Sequence, residues 1–139
     1  MRYLGIDPGG RRIGLAVGDD NTGVVSPLEV VAYDGVAAAA KLIADAAQRL
    51  AAGCVVVGLP TLADGSTGPA ARRSHLLAEH LRTLGVEVAL QSEFLSTDEA
   101  RRRARAAGRP RGGWVDDLAA QVLLEEYLAT HTSPTSPRN

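Results

Sequence analysis

The sequence has little of what secreted, membrane-spanning and strongly charged proteins depend on. It contains one cysteine, Cys54, so a disulfide framework is excluded, and no apolar run is long enough to cross a membrane. Its 15 lysines and arginines nearly balance its 16 aspartates and glutamates, so the whole chain does not attract polyanions. We expect a cytoplasmic protein that does not bind membranes, in which any nucleic-acid binding comes from a local patch.

The length of 139 residues allows one domain with a proper core but not two. The patterns follow the order β-β-β-α-β-α-β-α-α, which predicts a mixed sheet with helices packed on its faces. Pro27 places the third strand at an edge or a bulge. The helical patterns cover about 36–51, ended by Gly53, then 69–84, 96–107 and 115–128. We predict one domain over 1–129 and a flexible, polar tail over 130–139.

Two acidic side chains follow predicted strands. Asp7 ends the first strand, in "YLGIDPGG", and Glu93 comes just after the strand "VEVAL". Sites in α/β sheets form beyond the carboxyl ends of strands, so both acids are candidates for one site. A buried or half-buried carboxylate is costly unless a cation or hydrogen-bond donors meet it, so this pair needs a partner.

The last helix adds two more acids, and its periodicity separates them. Steps of three and four residues from Asp116 reach an apolar stripe that must face the sheet. The members of this stripe are Ala119, Ala120, Leu123, Leu124 and Tyr127. Asp117 shares its side of the helix with polar residues. We therefore predict that Asp116 points inward and that Asp117 points to solvent.

Three acids that converge on one place repel each other by about 4 kcal/mol per pair at an effective dielectric constant of about 20. A divalent cation makes such a cluster tolerable. Oxygen ligands without histidine or cysteine suit Mg²⁺ or Mn²⁺, and two such ions can clamp the attacking and leaving oxygens of a phosphodiester. The sequence thus predicts that Asp7, Glu93 and Asp116 are catalytic metal ligands, with Asp117 as an alternative ligand.

Arginines cluster in the third predicted helix and the loop after it. Arginine binds phosphate through paired hydrogen bonds, although a charge run is often only a solvated helix face. Together with a pair in the first turn, the candidates for nucleic-acid binding are Arg11, Arg12, Arg101, Arg102, Arg105, Arg109 and Arg111. A metal site beside phosphate-binding residues indicates a nuclease.

Weaker signals surround these residues. The rim of the site can be shaped by Gly9, Pro60, Asp64 and Gly65, although these residues are also typical of simple turns. Trp114 can stack on a base, but we expect the more common role of a partly buried anchor.

Four ordered segments resemble the YqgF/RuvX family of Holliday-junction resolvases, whose members are also described as nucleases of pre-ribosomal RNA. The segments are "LGIDPGGRRIGLAVGD", "VVGLPTLADGSTGP", "SEFLSTDEARR" and "VDDLAAQVLLEEYL", and the resemblance extends from Tyr3 to Leu128. It implies an α/β, ribonuclease H-like fold, with a mixed five-stranded sheet and helices on both faces. The three metal-binding acids of the family fall on Asp7, Glu93 and Asp116.

The resemblance implies a divalent-metal-dependent endonuclease that acts on structured nucleic acid, either a four-way DNA junction or the 5′ end of pre-16S rRNA. A resolvase cuts two strands symmetrically, so a homodimer is expected, at least on the substrate. The chain departs from the family at Ser92 and Phe94, where an Asp and an Arg are usual. The missing arginine removes one expected phosphate contact, for which Arg12 or Arg101 is a candidate replacement.

Two other classes of function stay open. Kinases and ATPases of the actin-like superfamily also begin with a D-x-G hairpin, but this chain is too short for their two domains and has no P-loop pattern. A non-catalytic nucleic-acid-binding or transcription-associated protein could retain the same fold. Metal-dependent cleavage distinguishes a nuclease from such a protein.

Overall fold

Large and small residues alternate in the first two strands, which pair antiparallel. Ile13 and Leu15 pack with Leu4 and Ile6 on one face, where they join the larger apolar core. Between them, Gly14 brings no side chain to the other face, so a helix can lie directly against the backbone there.

The structure, a computed structural model, describes residues 1–60, 68–92, 96–110 and 113–131. Its elements, in chain order, are β1 (Arg2–Pro8), β2 (Arg12–Asp19), β3 (Val25–Ala32), α1 (Val36–Arg49), β4 (Ala52–Leu59), α2 (Ala70–Thr83), β5 (Val88–Ser92), α3 (Ser96–Ala106) and α4 (Asp116–His131). The strands form one sheet in the order β3-β2-β1-β4-β5. The predicted mixed five-stranded sheet is confirmed.

The sheet separates two apolar layers. Helices α1 and α2 cover one face, and α4 covers the other. Helix α3 packs on α4 through a small cluster of Ala100, Ala104, Leu118 and Ala119. Helices therefore lie on both faces, as predicted, and α4 is covered both by the sheet and by α3. None of the helices in the described part of the chain has the length and hydropathy needed to span a bilayer.

Strands β1, β4 and β5 run parallel to one another. Strand β2 is antiparallel to both of its neighbours, β1 and β3. The carboxyl ends of the three parallel strands therefore meet at one edge of the sheet, at Pro8, Leu59 and Ser92. Strand β3 lies at the outer edge, and the register shifts where Ala16 pairs with Pro27. The edge position predicted from Pro27 is confirmed.

The structure corrects two boundaries. Helix α1 ends before Gly53, because Ala51 adopts a left-handed backbone with φ 57 and β4 begins at Ala52. Gly53 lies inside this strand rather than ending the helix. Helix α4 continues past Leu128 to His131, whose ring stacks on Tyr127 at 4.3 Å between centroids. Positions 132–139 lie outside the described residues, so the flexible tail stays a prediction.

Candidate functional site

Asp7 lies next to the carboxyl end of β1 and on the face of the sheet that α4 covers. Side chains alternate along a strand, so Asp7 shares a face with Gly5. A Cβ atom placed on Gly5 would lie 2.9 Å from Cβ of Leu124 in α4. Asp7 therefore faces α4 as well, at a part of that helix that lies one or more turns before Leu124.

Gly14 lies between Asp7 on β1 and the first turn of α4, which carries Asp116. It is the register partner of Asp7 in the antiparallel pair of β1 and β2, so the two positions share a face. A Cβ on Gly14 would overlap the backbone carbonyl of Asp116 and would lie 2.7 Å from the backbone nitrogen of Asp117. The first turn of α4 thus rests on the strand directly beside Asp7.

Asp116 points inward, as its periodicity predicts, with its side chain 13% exposed. The Nε atom of Arg12 donates a hydrogen bond to its Oδ1 at 3.1 Å. The Oδ2 atom lies on the side of Gly9, 3.2 Å from where a Cβ on that glycine would be. Gly9 therefore lies beside the carboxylate of Asp116, and Arg12 neutralises part of the charge of Asp116.

Asp117 does not face solvent, so that prediction is wrong. The residue is 8% exposed, and its two carboxylate oxygens each accept a hydrogen bond from Arg109 at 3.0 Å. Helical periodicity identified only the stripe that faces the sheet, whereas α3 covers a second side of α4. The hydrogen bond to Asp117 raises the pKa of Arg109 above its ordinary value. This bidentate ion pair connects α4 to the residues that follow α3.

We expect the Arg109→Met variant to lose about 2 kcal/mol of unfolding free energy, because it leaves the carboxylate of Asp117 buried without its cation. Urea denaturation followed by circular dichroism measures the loss. Arg105→Met is the matched control, since Arg105 is exposed and has no ion pair within the described residues. Equal stability of the two variants would contradict a structural role for the pair.

The arginines of α3 divide into two groups. Arg102 and Arg103 donate to Glu99 at 3.0 and 3.1 Å, and Arg103 also binds Glu125 of α4 at 2.7 Å. Hydrogen bonds from Arg102 and then Arg103 hold the pKa of Glu99 below its ordinary value. These two cations are thus largely neutralised by carboxylates.

Arg101 and Arg105 form the second group. Both are exposed, and neither has an ion-pair partner in the part of the chain that the structure describes. They line an open pocket of about 460 Å³, together with Arg109, Gly113 and Val115. This pocket is a local concentration of positive charge in a chain whose net charge is −1.

Several predicted site residues lie outside the described residues: Glu93, Asp64, Gly65 and Arg111. The last residue of β5, Ser92, immediately precedes Glu93 in the chain. Within the described ranges, no three acidic, histidine or cysteine side chains are grouped closely enough to hold a metal. The set of three acids therefore stays a prediction. Pro60 follows β4, half-buried, and Arg11 is exposed in the first turn.

Sequence reasoning missed Arg73. This residue of α2 donates to the backbone oxygen of Gly9 at 3.3 Å, and its guanidinium lies 5.3 Å from the ring centre of Tyr33. It thereby fixes the turn between β1 and β2 that borders the site. The Arg72-Arg73 pair near the start of a helix was a signal, but nothing in the sequence places α2 beside that turn.

The partly buried position expected for Trp114 is also wrong, because the residue is 59% exposed. The guanidinium of Arg12 lies 4.8 Å from the ring centre, so one cation contacts both the indole and Asp116.

The donors at this edge fit a hard divalent cation. Asp7 and Asp116 carry carboxylates on neighbouring elements, and Oδ2 of Asp116 faces a glycine rather than a bulky side chain. Such oxygen ligands, without a nearby thiolate or imidazole in the described residues, suit Mg²⁺ or Mn²⁺ better than zinc. The arrangement can hold a cation beside a surface that carries unneutralised arginines.

A family model described as RuvX, Holliday junction resolvase, matches residues 1–130. A protein of Anaeromyxobacter sp. (strain Fw109-5), named as a candidate pre-16S rRNA nuclease, is 45% identical over 132 residues, which cover 92% of this chain and 96% of that protein. A protein of the same name from Thermus thermophilus is 37% identical and covers 93% of this chain and 98% of its own length.

Two solved structures are similar in fold. One is RuvC of T. thermophilus in complex with a Holliday junction substrate, with a TM-score of 0.59, 17% identity and coverage of 95% of this chain and 97% of that chain. The other is the fowlpox virus resolvase with Holliday junction DNA, with a TM-score of 0.55, 12% identity and coverage of 93% and 97%. The expected ribonuclease H-like fold is confirmed.

Proposed function

Because this chain belongs to the RuvX family, we propose that it is a nuclease that hydrolyses phosphodiester bonds in structured nucleic acid. The observation that supports the proposal is the contact of the first turn of α4, at Asp116, with Gly14, the register partner of Asp7. Two carboxylates at that edge, beside exposed arginines, are the groups that metal-assisted phosphodiester hydrolysis requires.

We further propose that Asp7, Glu93 and Asp116 hold Mg²⁺ or Mn²⁺, with two ions as the expected number. When bound, the metal supplies Lewis-acid activation of water and neutralises charge at the phosphate. Arg12 orients Asp116 through the 3.1 Å hydrogen bond, and Arg73 holds the adjoining turn. Asp117 is the weaker candidate ligand, since both of its oxygens already bind Arg109.

The pocket of Arg101 and Arg105 is the candidate contact for the nucleic-acid backbone. Two arginines at i and i+4 repel each other, and a phosphate relieves that repulsion. We expect the double variant Arg101→Gln/Arg105→Gln to reduce the slope of log K against log salt by about 2, because two phosphate contacts disappear. Anisotropy of a labelled four-way junction in EDTA, across a salt series, measures this slope.

The matched control is Arg49→Gln, at the end of α1 and next to the amino end of β4. It removes a cation from the opposite edge of the sheet and should leave the slope as in the wild type. A double variant with the wild-type slope would assign the pocket no phosphate contact.

The choice between DNA and RNA is part of the proposal. The relatives are named for pre-16S rRNA, whereas the fold neighbours were solved with Holliday junctions. Carboxylates and arginines contact phosphate and do not distinguish the sugar. We expect a homodimer, at least on the substrate, and a cytoplasmic location. Sedimentation with and without a junction tests the dimer.

The direct test is a Mn²⁺ titration of cleavage, run in parallel on a labelled four-way junction and on precursor rRNA. The proposal predicts metal-dependent cleavage of at least one of them at a defined position. Binding of both substrates without cleavage at any metal concentration would favour the alternative, a non-catalytic nucleic-acid-binding protein with the same fold.

A further inference from the structure

The single tryptophan of the chain stands exposed beside the candidate acids. Trp114 lies two residues before the start of α4 and is 59% exposed, although burial of an indole usually stabilises a protein. Tryptophan is enriched at interfaces because it combines a large apolar surface with a polar N–H group.

Contacts on two sides hold this residue in place. The guanidinium of Arg12 lies 4.8 Å from the ring centre, and Arg12 is itself held by Asp116 at 3.1 Å. The backbone oxygen of Trp114 accepts a hydrogen bond at 3.4 Å from Arg109, which in turn binds Asp117 with two bonds. The indole is therefore preorganised, so a stacking ligand loses little of its affinity to ordering the side chain.

The charge around the ring identifies the ligand. Gly113 and Val115, the two neighbours of Trp114 in the chain, line the pocket that contains Arg101 and Arg105. A cationic pocket beside an exposed ring fits a nucleotide, whose phosphate and base are joined in one unit. An apolar protein partner would not be favoured by so many neighbouring cations.

We propose that Trp114 stacks on an unpaired base of the nucleic acid, next to the phosphate that is cleaved at Asp7 and Asp116. The position of that phosphate rests on the proposed function, whereas the stacking itself does not. The faces of bases are hidden inside a duplex, so this contact selects substrates with unpaired nucleotides near the cut.

Since the chain has one tryptophan, its fluorescence reports directly on this contact. Full-length protein in EDTA is titrated with a short oligothymidylate and with a duplex of equal length, and the anisotropy of labelled strands gives the occupancy. We expect indole quenching and protection from acrylamide with the single strand, and little change with the duplex. Equal quenching by both at equal occupancy, or none at saturation by the single strand, would overturn the proposal.

Variants separate stacking from a structural role. Trp114→Leu should bind the single strand about 10-fold more weakly, with duplex binding unchanged, and Trp114→Phe should retain most of the affinity. Mn²⁺ binding by calorimetry should be the same in both variants, which shows that Arg12 and Asp116 stay in place. Equal loss with Leu and Phe, or an equal loss for the duplex, would contradict stacking.

These binding measurements do not depend on catalysis. Quenching without metal-dependent cleavage would support the stacking site and contradict the proposed nuclease activity. Cleavage without quenching would support the nuclease activity and contradict the stacking site. An emission change that appears with protein concentration alone would identify the ring as a self-association surface and reject the proposal.

Discussion

We expect the Asp7→Asn variant to cleave its substrate about 1,000-fold more slowly than the wild type at saturating Mn²⁺, a difference of about 4 kcal/mol in the activation free energy. Asparagine keeps the shape of the side chain but removes the negative charge with which, in our proposal, Asp7 binds a divalent cation at the carboxyl end of β1. Single-turnover cleavage of the labelled junction and precursor rRNA measures the rate, and calorimetry measures the loss of Mn²⁺ affinity.

The matched control is Asp45→Asn, the same chemical change at an exposed residue of α1 whose carboxylate lies 3.7 Å from Lys41. Its cleavage rate should equal that of the wild type. Asp116→Asn is a less specific test, because it also leaves Arg12 without its carboxylate partner. An Asp7→Asn protein that is folded and cleaves within 10-fold of the control would refute the assignment of this acid.

Local pattern was sufficient to predict the features of the fold that depend on local geometry. Asp7 follows a run of alternating strand residues, and Asp116 begins an apolar helical stripe, so each orientation is set within a few neighbours in the chain. The same holds for the edge position of β3, which a missing backbone donor at Pro27 dictates. These features were correct because their causes lie inside one element.

Features that depend on contacts between distant elements were not predictable. Asp117 is buried because α3 packs on α4, and Arg103 is neutralised by Glu125, which lies 22 residues away in the chain. Within the described residues, the same arrangement leaves Arg101 and Arg105 as the arginines of α3 without a carboxylate partner. The number of charges along α3 does not predict this division. Tertiary packing thus decides which arginines are structural and which are available to a ligand.

The end of α1 is a backbone feature that the sequence did not predict correctly. A glycine near the end of a helical pattern usually ends the helix, so Gly53 was the natural choice. In the structure, Ala51 takes the left-handed conformation instead, and Gly53 enters β4. The terminal methyl carbon of Met1 lies 3.0 Å from where a Cβ on Gly53 would be.

Gly14→Ala tests the packing that brings the two acids together, and we expect it to lower the unfolding free energy by about 3 kcal/mol. The added methyl group would overlap the carbonyl of Asp116 and approach the backbone nitrogen of Asp117 at 2.7 Å. Both neighbours are backbone atoms, which cannot rotate away, so α4 must lift from β2 or the domain must unfold. Urea denaturation measures the loss of unfolding free energy.

Gly10→Ala is the control, because within the described residues no atom lies within 4 Å of the added Cβ. Its stability should stay within about 0.5 kcal/mol of the wild type. In any folded fraction of Gly14→Ala, lifting α4 separates Asp116 from Asp7, so Mn²⁺ affinity and cleavage should fall together. A Gly14→Ala protein with wild-type stability and cleavage would mean that the two acids do not depend on this contact. The proposed site of Asp7 and Asp116 would then be wrong.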